Sequence, residues 1–425
     1  MALFAPETWP FSLQHLPDNA YLVGGSVRDR LLSRSAAYLD LDFVLPKNTI
    51  ETASRIARAY GAGFVVLDSR RQIARVIFNE TTIDFAQQQG PTIEADLQRR
   101  DYTINAIAYH PTRHQLIDPL DGKADIVNKI LRMVKAENLA ADPLRLMRAY
   151  RQAAQLGFSI SAKTQAAISQ LAPMLITISR ERVRSELDAL LSVLGSEDYL
   201  AAMLDTKLLQ FCLPHFDSQS IERISAIDRV LSRLQPQMPD YAKLLQGWLS
   251  PVPAGHYRSW IKSARLSCLV SSNTAIARQE LSALKYSRRE SQVVLTLLSV
   301  QPNITAMCQG PFSRSQQFFL FKAAGEYFPA VSLLALAQGA PISLLSKLIE
   351  RFLDSHDEVA HAPTLVTGAA LMKRLKLTPG PQLGQVLKRL EQAQAEGQVT
   401  NTEGAIALAK TWQDSQTPNS QNPDL

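Results

Sequence analysis

The stretch Tyr21–Leu45, YLVGGSVRDRLLSRSAAYLDLDFVL, constrains the fold more than any other. Its apolar triplet, glycine pair, short charged segment and second apolar run predict strand, turn, helix, loop and strand, so the chain opens as mixed α/β. Gly24 and Gly25 permit a tight turn and close approach of a ligand to the backbone. A helix opening near Ser26 directs free backbone N–H groups at whatever sits on that turn, as a phosphate cradle requires. On the second strand side chains alternate, so Asp40 and Asp42 share one face while Leu41 and Phe43 share the other. Paired carboxylates hold divalent metal. A phosphate cradle beside such a pair points to a nucleoside triphosphate with magnesium, which favours one or two carboxylates plus phosphate oxygens.

A chain of 425 residues exceeds one typical core and implies about two to four domains. Hydrophobic residues make up 46% and charged residues 20%, the balance of a folded, soluble protein. The net charge of +6 and pI of 9.1 suit a polyanionic partner without requiring one. Cys212, Cys268 and Cys308 lie far apart with no Cys-x-x-Cys pairing, which argues against a zinc knuckle or disulfide framework and for reduced thiols in the cytoplasm. No apolar run approaches a membrane span, and MALFAPETWPF lacks the order of a signal peptide.

Along the chain, Ile50, Ala53, Ile56, Ala57 and Tyr60 recur at helical spacing with Gly61 placed to end that helix. Strand-like runs follow at Gly63–Leu67, Gln72–Phe78 and Thr81–Phe85, the last two joined by an Asn79-Glu80 turn. Asp84 alternates with Ile83 and Phe85, so it is either a third acid facing Asp40 and Asp42 or an ordinary exposed strand residue. From about residue 137 helical patterns take over. Pro143 suits a first helical turn, and Leu146, Ala149, Ala153 and Leu156 form a packing stripe. Arg145, Arg148 and Arg151 line a flank of the same helix. Pro251–Gly255 and Gln301–Pro311 read as turns between helical subdomains, and the last dozen residues, DSQTPNSQNPDL, as disordered.

Gly-Gly-x-Val-Arg-Asp-x-Leu-Leu followed by Asp-x-Asp resembles the signature of the DNA polymerase beta nucleotidyltransferase superfamily. More narrowly, it resembles the class II tRNA nucleotidyltransferases, the CCA-adding enzymes, and their bacterial poly(A) polymerase relatives. DLQRRDYTINAIAY, residues 96–109, is similar to that family's Arg-Arg-Asp-Phe-Thr-x-Asn-Ala motif, with Tyr102 in place of Phe. The resemblance implies that Gly24, Gly25, Arg28 and Arg100 serve the triphosphate, Arg100 by bidentate contact, and that Asp101 and Asn105 contact sugar or neighbouring backbone. Asp118-Pro119-Leu120-Asp121-Gly122 matches the family's Asp-Pro-x-x-Gly turn, a structural element. The run from Ala141 resembles the nucleotide-selecting motif Glu-Asp-x-x-Arg, with Ala141 in place of Glu. Carried across, Asp142 and Arg145 would read the base of CTP or ATP, and Arg148 and Arg151 would support the nucleotide. SRERVRSELDALL, residues 179–191, resembles the motif bracing the neck. Residues 368–403 resemble the tail, with Gly380, Pro381 and Gly384 at a turn and Lys373, Arg374, Lys376, Lys388 and Arg389 offered to RNA.

The resemblance implies an α+β chain: a nucleotidyltransferase head over residues 1–136, a helical neck over 137–200, a helical body over 201–365, a helical RNA-binding tail over 366–412 and a disordered end over 413–425. It implies transfer of CMP or AMP from CTP or ATP to the 3′ end of tRNA, with Asp40, Asp42 and Asp84 catalytic and two magnesium ions held by Asp40 and Asp42. Only FAQQQGPTIEADLQ separates Asp84 from Arg99, which leaves little room for the flexible loop of full CCA-adding relatives. A shortened loop resembles enzymes that add the two cytidines alone and leave the terminal adenosine to a separate A-adding enzyme, which sets CC addition beside full CCA or A-only addition as expectations. A poly(A) polymerase and a non-catalytic tRNA-binding factor are the competing expectations.

Overall fold

The computed structural model describes residue 4 and residues 6–34, 39–79, 81–248 and 258–414. The chain divides into two compact units, Met1–Pro214 and His215–Leu425. The expected boundary near residue 136 therefore falls inside the first unit, and the one near 365 inside the second.

In the first unit, β1 (Tyr21–Val23), α1 (Gly25–Leu31) and β2 (Leu39–Leu45) follow the expected order. Next come α2 (Thr49–Tyr60), β3 (Gly63–Asp68), β4 (Ile73–Phe78), β5 (Thr81–Gln87), α3 (Ile93–Leu97), β6 (Ala108–His110) and β7 (Gln115–Ile117). These strands form one sheet in the order β3-β4-β5-β2-β1-β6-β7. Gly61, at φ +62°, ends α2 as expected. Gln72 does not open β4, because it takes a left-handed turn conformation at φ 53°. Phe78 pairs with Thr81 across the β4–β5 connection, whose Glu80 lies outside the described residues.

The parallel pairing of β2 with β5 is the sheet's centre. Leu41, Phe43 and Leu45 alternate onto one face with Ile83 and Phe85, and all are buried. The Phe43 and Phe85 rings stack at 5.6 Å, with Trp9 and Phe11 packed edge-on against Phe43. That apolar face sets the register, so the opposite face must carry Asp40, Asp42, Thr82 and Asp84.

After α4 (Gly122–Val127) and β8 (Ile130–Leu131) the unit is helical apart from the two-residue strand β9 (Ser159–Ile160), which pairs with β8. It contains α5 (Ala136–Ala141), α6 (Leu144–Leu156), α7 (Ala162–Leu171), α8 (Arg180–Leu191) and α9 (Glu197–Asp205). Leu146, Ala149 and Ala153 of α6 are buried as their spacing predicts. Arg151 of α6 pairs with Glu186 of α8, which braces the two helices.

The second unit is all helical among its described residues: α10 (Ser218–Gln237), α11 (Pro239–Gln246), α12 (Trp260–Ser267), α13 (Thr274–Ala283), α14 (Arg288–Ser299), α15 (Gln301–Gln309), α16 (Arg314–Ala324), α17 (Phe328–Ala337), α18 (Ile342–Leu353), α19 (Gly368–Leu375), α20 (Pro381–Ala395) and α21 (Thr402–Asp414). The expected turn at Gln301–Pro311 is instead α15: Pro302 occupies its first turn and Gly310 its end, so proline and glycine there bound a helix. The expected turn at Pro251–Gly255 lies outside the described residues, as do residues 415–425 of the expected disordered end, whereas Gln413 and Asp414 close α21. Contrary to the sequence reading, one helical run, Arg314–Ala337, is long and apolar enough to cross a membrane, but 61% of its apolar window is buried inside the protein.

Asp118 accepts from the backbone N–H of Gly122 (2.8 Å) and Lys123 (2.9 Å), capping α4 and making Asp-Pro-x-x-Gly a structural turn as expected. A Cβ on Gly122 would stand 2.3 Å from the Thr103 carbonyl oxygen and 2.9 Å from Ile107. Gly122→Ala is therefore expected to destabilise the first unit by on the order of 3 kcal/mol through overpacking. Thermal denaturation should show Tm falling by about 10 °C, and an unchanged Tm would contradict the packing.

Candidate functional site

Gly24 lies where the acidic strand and the Arg-Arg-Asp segment meet. Its backbone is at φ 74° and ψ −142°, and a Cβ there would stand 3.2 Å from Asp42 Oδ2 and 3.4 Å from Arg100 Nη1. Gly24, Asp42 and Arg100 are thus neighbours, and only glycine leaves the gap between carboxylate and guanidinium open. The register pairs Asp42 with Asp84 across β2 and β5, and Arg75 with Asp84 across β4 and β5. Asp40 accepts from the Thr82 hydroxyl at 2.9 Å.

Burial first, then the neighbouring charges of Asp40 and Asp84, push the Asp42 carboxyl up to about 6. The part of that shift due to Asp40 and Asp84 is the part a cation beside the carboxylates would relieve. Asp84 is already neutralised: Arg75 Nε and Nη2 donate to its two oxygens at 2.7 and 2.8 Å. Among the described residues no group of three or more His, Cys, Asp or Glu side chains is arranged to hold a metal ion by itself. Asp40 and Asp42 are the carboxylates left without a guanidinium partner and could hold a cation together with phosphate oxygens, while Asp84 as it stands is an ion-pair partner.

Behind this pair lies a buried polar hub. Asp101 accepts from Arg148 Nε (3.0 Å), Asn105 Nδ2 (3.0 Å) and the Tyr102 backbone N–H (2.8 Å). Burial alone would raise its carboxyl, but the Arg148 charge and these bonds outweigh that and hold it at about 2. Asn105 donates also to Gln152 (2.8 Å) and accepts from Arg28 Nη1 (2.7 Å). Arg28 is further clasped by Asp29 at 2.9 and 3.1 Å. The sequence reading offered Asp101 and Asn105 to sugar or neighbouring backbone; both are buried, and Asp101 makes the backbone contact. Arg28, too, is turned into the hub.

Arg100, the neighbour of Gly24, also lines a cleft together with Arg71, Asp142, Arg145, Arg148 and Arg182 among others. Arg100 is steadied by Asp96 of α3 at 3.2 Å, and Asp96 also accepts from the Gln89 N–H at 2.8 Å. Asp142 is paired with Arg182 at 3.1 Å. Arg145 Nη1 donates to the carbonyl oxygens of Arg99 (3.0 Å) and Asn138 (3.1 Å). Asp142, Arg145 and Arg148 are thus brought together with Arg100, whereas Arg151, which the sequence reading also gave to the nucleotide, is committed to Glu186 and Gln155. Sequence reasoning missed Arg75, Asn138, Gln152 and Arg182. Gln152 follows Arg148 at helical spacing and Arg182 sits in a recognised motif, but nothing in the pattern singles out Arg75 or Asn138.

In the second unit, Lys373 and Arg374 are exposed on α19, and Lys388 and Arg389 on α20. Arg389 lies over the Trp412 ring at 4.6 Å. Lys376 takes the left-handed conformation that ends α19.

Residues 20–132 match the poly A polymerase head domain, residues 157–220 a probable RNA and SrmB binding site of polymerase A, and residues 259–409 a putative tRNA nucleotidyltransferase domain 2. The sheet with its acidic pair is thereby a nucleotidyltransferase head. A CC-adding tRNA nucleotidyltransferase of Synechocystis sp. is 42% identical over 94% of this chain and 95% of its own length. An A-adding tRNA nucleotidyltransferase of Deinococcus radiodurans is 32% identical over 96% and 98%. Among solved structures, a CCA-adding enzyme with ATP shares the fold, with a TM-score of 0.68 at 20% identity over 93% of this chain and 91% of that one. The chain belongs to the tRNA nucleotidyltransferase and poly(A) polymerase family.

The raised Asp42 carboxyl has a consequence for stability. Between the ordinary value of 3.8 and about 6, the folded state increasingly resists an ionisation that the unfolded chain accepts, so the metal-free fold loses stability as pH rises through that window. Asp42→Asn is expected to stabilise the chelator-treated protein by on the order of 1–3 kcal/mol at pH 8, with the gain vanishing near pH 4. Thermal denaturation against pH checks it. Magnesium should raise the Tm of the wild type and not of the variant.

Proposed function

We propose that this protein is a template-independent enzyme that transfers CMP from CTP to the 3′ end of tRNA with release of pyrophosphate. We propose further that it stops after two cytidines and leaves the terminal adenosine to a separate A-adding enzyme. The observation that carries the reading is the junction at Gly24, where Asp42 and Arg100 flank a gap only glycine leaves open, beside a cleft holding Asp142 and Arg145. A triphosphate drawn up to the Gly24 backbone, which no side chain shields, lies against the Arg100 guanidinium, which makes bidentate contact with phosphate oxygens. Arg148, whose charge reaches the same cleft, adds to the field. Asp142 accepts from the exocyclic amino group that cytosine and adenine share, and Arg145 donates to ring acceptors; uracil and guanine present other edges.

Asp40 and Asp42 fit two magnesium ions, which when bound supply a lowered pKa for the attacking 3′-hydroxyl and neutralise charge on the triphosphate. Arg28, Asp101 and Asn105 act through the hub by holding Gly24 and Arg100 in place. Lys373, Arg374 and Lys388 offer exposed charge to tRNA phosphates, and Arg389 a guanidinium set on Trp412. The free cysteines suit work in the cytoplasm.

The restriction to cytidine is supported by the segment before Arg99. It is short and folded: Ile93 and Leu97 are buried in a core cluster with Val23, Val44, Ala106 and Ala108, and Asp96 ties Gln89 to Arg100. A segment pinned in this way does not move to reshape the site for ATP once CTP has been used. The similarity to a CC-adding relative over nearly the whole chain points the same way.

Purified protein incubated with tRNA lacking CCA is expected to add two CMP and stop, and with tRNA ending in CC to add almost no AMP. Efficient AMP addition to the second substrate would overturn the restriction, and repeated AMP addition to arbitrary RNA would indicate a poly(A) polymerase. Asp42→Ala should lower incorporation by at least about 1000-fold, the scale lost with a key charge-stabilising group, while a gel-shift assay finds tRNA binding within about three-fold of wild type. Turnover near the wild-type rate would overturn the assignment.

A further inference from the structure

We infer that Asn138 is the positioning residue that sets Arg145 for base selection in a chain with Ala141 where the resembled motif has Glu. The inference rests on the reading of Asp142 and Arg145 as the base-selecting pair. Helix α3 ends at Leu97, and the carbonyls beyond a helix end have no partner from the helix itself. Three successive carbonyls here are taken up from the neck. Asn138 Nδ2 donates to the Gln98 oxygen at 2.9 Å and to the Arg100 oxygen at 2.8 Å. Arg145 Nη1 donates to the intervening Arg99 oxygen at 3.0 Å and to the Asn138 oxygen at 3.1 Å.

The arrangement closes a ring. An asparagine amide has two N–H donors, and both are used on the segment that carries Arg100. The Asn138 backbone then holds the Arg145 guanidinium, whose Nη1 is committed to carbonyls and whose other donors are those available to a base. Ala141, with only a methyl group, cannot perform this task by a polar contact. The α5 residue that can is one turn earlier. Asn138 lines the same cleft as Arg100, Asp142 and Arg145 without being one of the groups proposed to touch the nucleotide. One side chain therefore couples the position of the triphosphate arginine to that of the base-reading arginine.

The test is the ratio of kcat/KM for CTP to that for UTP on tRNA lacking CCA, measured for wild type, Asn138→Ala, Asn138→Asp, Arg145→Ala and the Asn138→Ala/Arg145→Ala pair, with Tm recorded for each. Asn138→Asp keeps the shape and removes the donors. Because the ratio is taken within one protein, a general loss of activity does not move it, and for a variant too slow to assay, competition of UTP against bound CTP reads the preference at the level of binding, compared with the wild type measured the same way. Both Asn138 variants are expected to lose about ten-fold of the CTP preference, the equivalent of one hydrogen-bonded constraint. The double variant should lose no more than Arg145→Ala alone, because the two residues act in series. If Asn138→Ala and Asn138→Asp keep the preference while Arg145→Ala loses it, Asn138 is only a strut and the inference fails. If Arg145→Ala also keeps it, the base-selecting reading itself fails.

Discussion

The ion pair between buried Asp101 and cleft-lining Arg148 is the interaction on which the rest of the first unit depends. Asp101 stands between strand-derived loop and neck, Arg148 on α6, and their side chains meet across 47 residues of sequence. Only the Asp101 charge is taken out of water, since Arg148 keeps a face to the cleft, and removing Arg148 would leave the Asp101 carboxylate buried without its charged partner. The pair is tolerable because Asn105 and the Tyr102 N–H complete the Asp101 shell, and Asn105 in turn reaches Arg28 and Gln152. The groups proposed to do chemistry are short steps from this hub: Arg100 precedes Asp101, Arg145 lies one turn before Arg148, and Gly24 and Gly25 lead into the helix of Arg28. The hub thus holds the segment that carries Arg100 against the helix that carries Arg145 and Arg148.

The sheet supplies the other half of the geometry. Burying Phe43 against Phe85 fixes the register of β2 on β5, and one residue of slip would send Asp40 and Asp42 into the core. The same register sets Asp84 beside Asp42, where three carboxylates would repel. Arg75, carried to that spot by β4, relieves the repulsion at Asp84 and leaves Asp40 and Asp42 as the open acidic pair.

The helical second unit was the least legible part, for a physical reason seen in α12. All of its residues from Trp260 to Ser267 are buried, including Lys262 and Arg265. Lys262 pairs with Glu290 at 3.0 Å and Arg265 with Asp228 at 3.4 Å, so residue types that read as surface are core. Helix α17 is apolar nearly all round, with no polar face to give a period. Pro302 and Gly310, which punctuate loops and helix ends alike, mark the ends of α15.

The sequence by itself determined the strand–turn–helix–strand opening, the shared face of Asp40 and Asp42, the packing stripe of α6 and the motif class, because each is written in neighbouring residues or in a fixed period. What only the tertiary structure decided is which polar groups face the cleft and which are spent on holding it together. Arg28, Asp101, Asn105 and Arg151 turn inward, Arg75 takes Asp84, and Asn138 takes the carbonyls of Gln98 and Arg100. Those choices depend on where donors and backbone carbonyls distant in sequence come to point after packing, and no local pattern encodes that direction.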